Sequence, residues 1–295
     1  MPELPEVETI ARGLAPELER RTVADVVVRE PRLRTRVARD FATRLRGRTF
    51  GRMGRTGKYL VTPLDDGARW LVHLGMTGRL TIGAHRLPIL HDHVELRLDD
   101  GRTLVYNDPR RFGRLDVLDA AALAKVVGPG IDALDGTLTG DWLFVRARGR
   151  RTSVKALLMD QREIAGLGNI YVSELLHRAG IRPRRRAARL TRDDCTRTIA
   201  AMRAVLDEAI ARGGSSISDY RDGFDRAGSY QDDHLVYDRA GEPCRRASSA
   251  RSSAAYRRAK PRARLEDSNA RVRARTRTPV GPDPGRTDRG RGLPH

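Results

Sequence analysis

Cysteine is nearly missing from this chain: Cys195 and Cys244 are the only two in 295 residues. That rules out a disulfide framework and fits an intracellular compartment. Long apolar runs are missing as well. Nothing approaches the roughly 18–20 consecutive apolar residues needed to span a bilayer, so no membrane partner is expected. A secretory signal is also lacking, since Glu3, Glu6 and Glu8 stand where basic residues and then an apolar stretch belong. These absences predict a cytoplasmic protein, expected as a monomer, and no internal repeat argues for a solenoid. What the chain has in excess is positive charge. Its 57 Lys and Arg against 38 Asp and Glu leave +19, with a pI near 11.1. Such a balance points to a polyanionic partner. The charge is uneven: residues 245–295 hold fourteen Arg and one Lys against four acids, a net of +11, leaving +8 for residues 1–244.

The pattern along the chain predicts an α+β protein. Residues 5–20 read as one helix, with Pro5 suited to its first turn and Val7, Ile10, Leu14 and Leu18 at helical spacing. Strand-like segments follow at 23–28, 58–62, 70–74, 93–98, 103–106 and 114–118. The Asp99-Asp100-Gly101 turn suggests a hairpin, and so many short strands suggest a sandwich or barrel. Helical patterns then take over at 120–127, 139–148, 152–160, 169–179 and 191–212. In the last, Thr191 is the N-cap of an acidic first turn, and Ile199, Met202, Val205, Leu206 and Ile210 form the buried face up to Gly213-Gly214. The expected division is a β domain over 1–130, a helical domain over 131–240, and a basic tail over 241–295. The tail is too poor in apolar residues to offset its ordering entropy, so disorder is expected there.

The N-terminal Met1-Pro2-Glu3-Leu4-Pro5-Glu6-Val7-Glu8 carries the sharpest chemical signal. Removing Met1 before the small Pro2 exposes a secondary α-amine, whose reference pKa near 7.7–8.0 leaves a neutral fraction at neutral pH. Attack of that amine on a sugar C1′ gives a cationic iminium, which acidifies the C2′ proton and opens the way to elimination. Glu3 stands beside it as a general acid or base. The plain alternative is that Pro2 and Pro5 only start a helix.

The octapeptide resembles the N-terminus of the formamidopyrimidine-DNA glycosylases, and the resemblance runs through most of residues 1–244. Its further motifs are Gly57-Lys58-Tyr59-Leu60, His73-Leu74-Gly75-Met76-Thr77-Gly78, His91-Asp92-His93, Asn107-Asp108-Pro109-Arg110-Arg111-Phe112-Gly113, Gly166-Leu167-Gly168-Asn169-Ile170-Tyr171 and Gly241-Glu242-Pro243-Cys244. The resemblance implies a bifunctional glycosylase and AP lyase of base excision repair. It would act on 8-oxoguanine and formamidopyrimidine lesions in double-stranded DNA lying between an N-terminal β-sandwich and a helix–two-turn–helix domain. It makes Pro2 the Schiff-base nucleophile, Glu3 the acid/base, and Lys58 the lysine that reaches the damaged nucleotide's phosphate. An enzyme of this kind extrudes its target base. Met76, Arg110 and Phe112 match the side chains that fill the hole and hold the orphaned partner. Met is a flexible filler, Phe a flat wedge and Arg a donor to cytosine. His91, Arg110 and Arg151 match DNA contacts of the family, and Asn169 opens the helix after the Gly-rich turn, where outward amides suit a phosphate. The stretch 216–230 matches a loop that covers the flipped base. Taken singly, Met76 and Phe112 could be core residues, Lys58 an edge-strand lysine, His91 a loop histidine, and the basic run 146–151 a solvated face.

The resemblance breaks after Cys244. The family's zinc finger carries two Cys-x-x-Cys pairs, whereas position 247 is Ala and no later cysteine follows; His295 is the only other nitrogen donor after Cys244. One thiolate cannot build a four-coordinate zinc site, so zinc is expected to be absent or not stably bound. The abrupt change into Arg-, Ala-, Ser- and Pro-rich sequence suggests a shifted reading frame, a hypothesis that an intact in-frame gene for this tail would sink. Two other functions stay open: an endonuclease VIII type glycosylase acting on oxidised pyrimidines, and a non-catalytic nucleic-acid-binding protein.

Overall fold

The computed structural model describes residues 1–217 and 219–242. α1 (Leu4–Leu18) opens the chain. Its start is written locally: Pro5 lacks an amide where a helix would leave one free. The Glu6 carboxylate accepts the Glu3 backbone N–H at 2.8 Å, satisfying another such donor. Val7, Ile10, Leu14 and Leu18 are fully buried on one face. The helix ends two residues short of the expected 20, because Glu19 turns to φ −57°, ψ 125°.

The chain continues through β1 (Val23–Val28), α2 (Phe41–Leu45), β2 (Gly54–Thr56), β3 (Tyr59–Pro63), β4 (Arg69–His73), β5 (Arg79–Ala84), β6 (Asp92–Leu98), β7 (Arg102–Asn107) and β8 (Arg114–Leu118). Two four-stranded sheets form, in the orders β1-β6-β7-β5 and β2-β3-β4-β8. Every pairing in them is antiparallel. The hairpin expected at Asp99–Gly101 joins β6 to β7. Val26, Leu96, Leu104 and Tyr106 of one sheet share a core with Leu60, Trp70, Val72 and Leu115 of the other, and α1 adds Val7, Ile10 and Leu14. Inside it, Phe50 stacks on Trp70 with ring centroids 5.3 Å apart.

The helical half comprises α3 (Ala120–Val127), β9 (Ile131–Asp132), α4 (Gly140–Ala147), α5 (Val154–Met159), β10 (Ile164–Ala165), α6 (Asn169–Ala179) and α7 (Arg192–Ala211). α7 starts on a reciprocal cap: Thr191 Oγ1 accepts the Asp194 N–H at 3.1 Å, and the Asp194 carboxylate accepts the Thr191 N–H at 2.9 Å. Of the face predicted for this helix, Ile199, Met202, Val205 and Leu206 are buried, while Ile210 is only partly so, packing at the rim.

The halves are joined at several points. Leu4, at the tip of α1, belongs to the helical core, although Val7 and Ile10 belong to the sandwich core. After α7 the chain returns to the sandwich edge, where Ile82 N–H donates to Gly223 O at 3.0 Å and Arg79 Nε–H to Asp219 O at 2.9 Å. Cys244 and the basic tail lie outside the described residues.

Candidate active site

The tip of α1 and the start of α6 meet head to head. Pro2 is buried, and Met1 before it is half exposed. Glu3 is only 3% exposed. Its carboxylate accepts the backbone N–H of Ile170 at 3.0 Å and that of Tyr171 at 3.4 Å, in the first turn of α6. Free amides and the positive end of an eleven-residue helix make this a favourable seat for an anion. Only glycine fits the approach: a Cβ on Gly168 would lie 2.3 Å from the Glu3 carboxyl carbon.

Glu6 is buried directly behind. Its carboxylate accepts the N–H of Glu3 at 2.8 Å, the N–H of Ser215 at 2.8 Å and the hydroxyl of Tyr171. Loss of hydration pushes its carboxyl up to about 7, the nearby Glu3 charge adds to the rise, and the three donors offset part of it. Burial, and then the Glu6 carboxylate, raise the Tyr171 phenol well above its ordinary range. The network continues from Tyr171 through Ser215 Oγ at 3.2 Å to His234 Nε2, which lies 3.0 Å from that oxygen.

Lys58 comes from the β2–β3 hairpin, in which Thr56 pairs with Tyr59. Gly57 holds φ +58°, the left-handed value that such a two-residue turn asks of its first central residue. Lys58 is buried, and loss of hydration lowers its pKa while the Glu3 and Glu6 carboxylates pull it back up. Pro2, Glu3 and Lys58, singled out on the sequence, therefore converge on one buried locus. A cavity of about 30 Å³ opens there, lined by Pro2, Glu6, Met76, Ile170, Ser215 and Tyr220 among others. It has room for about one water. A larger cavity of about 580 Å³ lies over β5 and β7 beside His91, and neither Pro2, Glu3 nor Lys58 lines it. Of these three residues, Pro2 lines the smaller cavity.

A second cluster projects from two loops of the sandwich. Met76 is 39% and Phe112 42% exposed, and the Arg110 guanidinium lies 4.7 Å from the centre of the Phe112 ring. Large apolar side chains so exposed are not core residues, which removes the plain alternative for both. Buried Asp108 organises the loops. It accepts from Thr77 Oγ1 at 2.6 Å and from the Gly113 N–H at 2.9 Å, while Arg110 N–H donates to Thr77 Oγ1 at 3.2 Å. His91 holds φ +72°, and its carbonyl accepts the Asp108 N–H at 3.1 Å.

On the helical half, Asn169 is the first residue of α6, and its buried Oδ1 has no hydrogen-bond partner among the described residues. Arg151 is exposed on the loop before α5. The basic run around it is exposed but partly paired. Arg146 and Arg150 both pair with Glu163, and Arg148 bonds the Leu190 carbonyl at 2.5 Å. Glu6, Tyr171 and Asp108 lie inside motifs already noted, but nothing in a linear pattern assigns them these contacts. Among the described residues no group of three or more His, Cys, Asp or Glu could hold a metal ion. Cys195 lies in the helical core, where burial pushes its thiol up to about 11.

Residues 1–115 match the formamidopyrimidine-DNA glycosylase N-terminal domain, and residues 129–221 match the H2TH domain of the same enzymes. The two together define a DNA glycosylase of the helix–two-turn–helix class. The chain is 44% identical over 268 residues to the formamidopyrimidine-DNA glycosylase of Azorhizobium caulinodans, covering 83% of this chain and 91% of that one. It superimposes on the MutM (Fpg) protein of Thermus thermophilus with a TM-score of 0.75 and 37% identity, over 84% and 91% of the two chains. A Lactococcus lactis Fpg variant in complex with Fapy-dG-containing DNA gives a TM-score of 0.76 and 30% identity, over 84% and 92%. The chain belongs to the formamidopyrimidine-DNA glycosylase family and is a DNA glycosylase of base excision repair.

Proposed function

We propose that this enzyme excises 8-oxoguanine and formamidopyrimidine lesions from double-stranded DNA and then cleaves the strand, using Pro2 as nucleophile. The observation that carries the reading is the convergence of buried Pro2, a Glu3 carboxylate seated on α6, and Lys58 on one locus. With Met1 removed, the Pro2 nitrogen attacks C1′ and the damaged base departs with a proton. The nitrogen lone pair then forms the iminium as the C1′–O4′ bond breaks and O4′ takes up a proton through Glu3. Loss of the C2′ proton returns that electron pair and expels the 3′ phosphate. Glu3 serves as the proton carrier, and Lys58 faces the phosphate of the damaged nucleotide.

Met76, Phe112 and Arg110 are assigned to the gap left by the extruded base, Arg110 facing the widowed cytosine; their exposure on an Asp108-braced pair of loops supports this. His91, Arg151 and Asn169 are assigned to the DNA backbone, with residues 1–130 and 131–240 as the two domains that flank it. The family's zinc finger needs four ligands, and in the residues after 242 the sequence offers the single thiol of Cys244. Zinc therefore does not fit and enters no step. No helix among the described residues is long and apolar enough to cross a membrane. A cytoplasmic monomer is the accompanying reading.

Borohydride reduction with an 8-oxoguanine duplex tests the chemistry. A covalent protein–DNA adduct and a mature mass beginning at Pro2 are expected. Binding without any adduct would overturn the Schiff-base step on Pro2.

A further inference from the structure

One ion cluster ties the lysine hairpin to the helical half. The Arg55 side chain is 5% exposed. Its guanidinium donates to Asp132 Oδ2 at 2.5 Å, to Asp132 Oδ1 at 2.9 Å, to Glu8 of α1 at 2.8 Å and to the Gly57 carbonyl at 2.9 Å. Asp132 Oδ2 also accepts the Gly57 backbone N–H at 2.8 Å. One carboxylate thus grips the hairpin tip twice, through its amide and through the arginine that brackets it. A planar fork on a carboxylate fixes orientation as well as distance.

Asp132 is itself registered to the other side of the site. It lies on β9, which pairs with β10, where Ile131 opposes Ile164 and Asp132 opposes Ala165. Gly166 follows at once, and its carbonyl accepts the Leu4 N–H at 3.1 Å. Three residues further on, α6 begins with the amides that seat Glu3. The hairpin rests on the same strand: a Cβ on Gly57 would lie 3.2 Å from Ala165 Cβ. Lys58 and Glu3 are therefore linked by a short path through Asp132, alongside the direct bond from Arg55 to Glu8 of α1.

We propose that Asp132, with Arg55, is a positioning residue that sets Lys58 against Pro2 and Glu3. The inference rests on the reading of Lys58 given above. Neither residue needs to touch DNA for this, so their loss acts on the rate and not on binding. A misplacement of about 1 Å in such a site costs up to about a hundredfold.

The test is a double-mutant cycle on the full chain, read as single-turnover cleavage of an 8-oxoguanine duplex. Asp132→Asn should slow cleavage by about ten- to a hundredfold while the KM and the affinity for an abasic-analogue duplex stay unchanged. In a Lys58→Ala background the same substitution should add almost nothing, since a residue acting through Lys58 has nothing left to place. Arg55→Lys, which keeps the charge and loses the fork, should reproduce the effect in both backgrounds if Asp132→Asn fails to fold. Equal slowing with and without Lys58, or no slowing at all, overturns the proposal. A Lys58→Ala protein as fast as the parent instead overturns the role given to Lys58.

Discussion

Glu6 makes stability depend on pH in a direction opposite to most carboxylates. Burial and the Glu3 charge raise its pKa from 4.5 to about 7. Below 4.5 it is protonated in both the folded and unfolded chain and contributes no difference. Between 4.5 and 7 the unfolded chain ionises freely while the folded chain holds its proton, so folding weakens as pH rises. Above 7 the full penalty of a buried charge is present. That rise corresponds to about 3 kcal/mol across the window, at about 1.4 kcal/mol per unit. Glu6→Gln removes the titration while nearly preserving shape. Titrating groups remote from Glu6 cancel when the two proteins are compared at each pH. The stability of the parent minus that of the variant should therefore fall by about 3 kcal/mol from pH 4.5 to 7.5, roughly 6–12 °C in relative Tm for a chain of this size. Thermal melts at half-unit intervals measure it. A difference that stays flat, or one that rises with pH, would falsify the account of a desolvated, proton-holding Glu6.

Gly168→Ala places a Cβ where the Glu3 carboxyl carbon lies 2.3 Å away. Glu3 must leave its seat, and the excision rate should fall at least about tenfold with duplex affinity retained; an unchanged rate would separate Glu3 from the chemistry. Phe112→Ala should weaken excision by about 1–3 kcal/mol of lost stacking, and Arg110→Ala should also blur the preference for cytosine opposite the lesion. Identical opposite-base ratios in Arg110→Ala and parent would refute the orphan-base role. Deleting residues 245–295 removes a net +11, so non-specific duplex affinity should drop and its salt dependence flatten, at about 0.9 in slope per phosphate no longer neutralised. The excision rate on saturating lesion duplex should barely change. One tightly bound zinc per chain by elemental analysis, or a rate that collapses with the tail, would show a working domain there.

Short-range signals are legible in the linear chain because their causes are local. Pro5, the Thr191–Asp194 cap and the Asp99–Gly101 turn act within three or four residues, and α1, α7 and the β6–β7 hairpin stand where those signals put them. Weak or short segments are not legible in that way. β2 has three residues, β9 and β10 two each, and β5 carries a glycine, so only pairing with neighbours makes them strands. Pro2, Glu3 and Lys58 can be named from motifs because residue type and spacing are all a motif needs. Their arrangement cannot. The Glu3 seat on α6 spans 167 positions, the Ser215 contact to Glu6 spans 209, and the Arg55–Asp132 fork spans 77. No period in the sequence encodes such separations. They exist only once Leu4 has entered the helical core while Val7 and Ile10 stay in the sandwich. Burial then does what sequence cannot: it strips water from Glu6 and Lys58, and so moves their pKa values away from those of the free side chains.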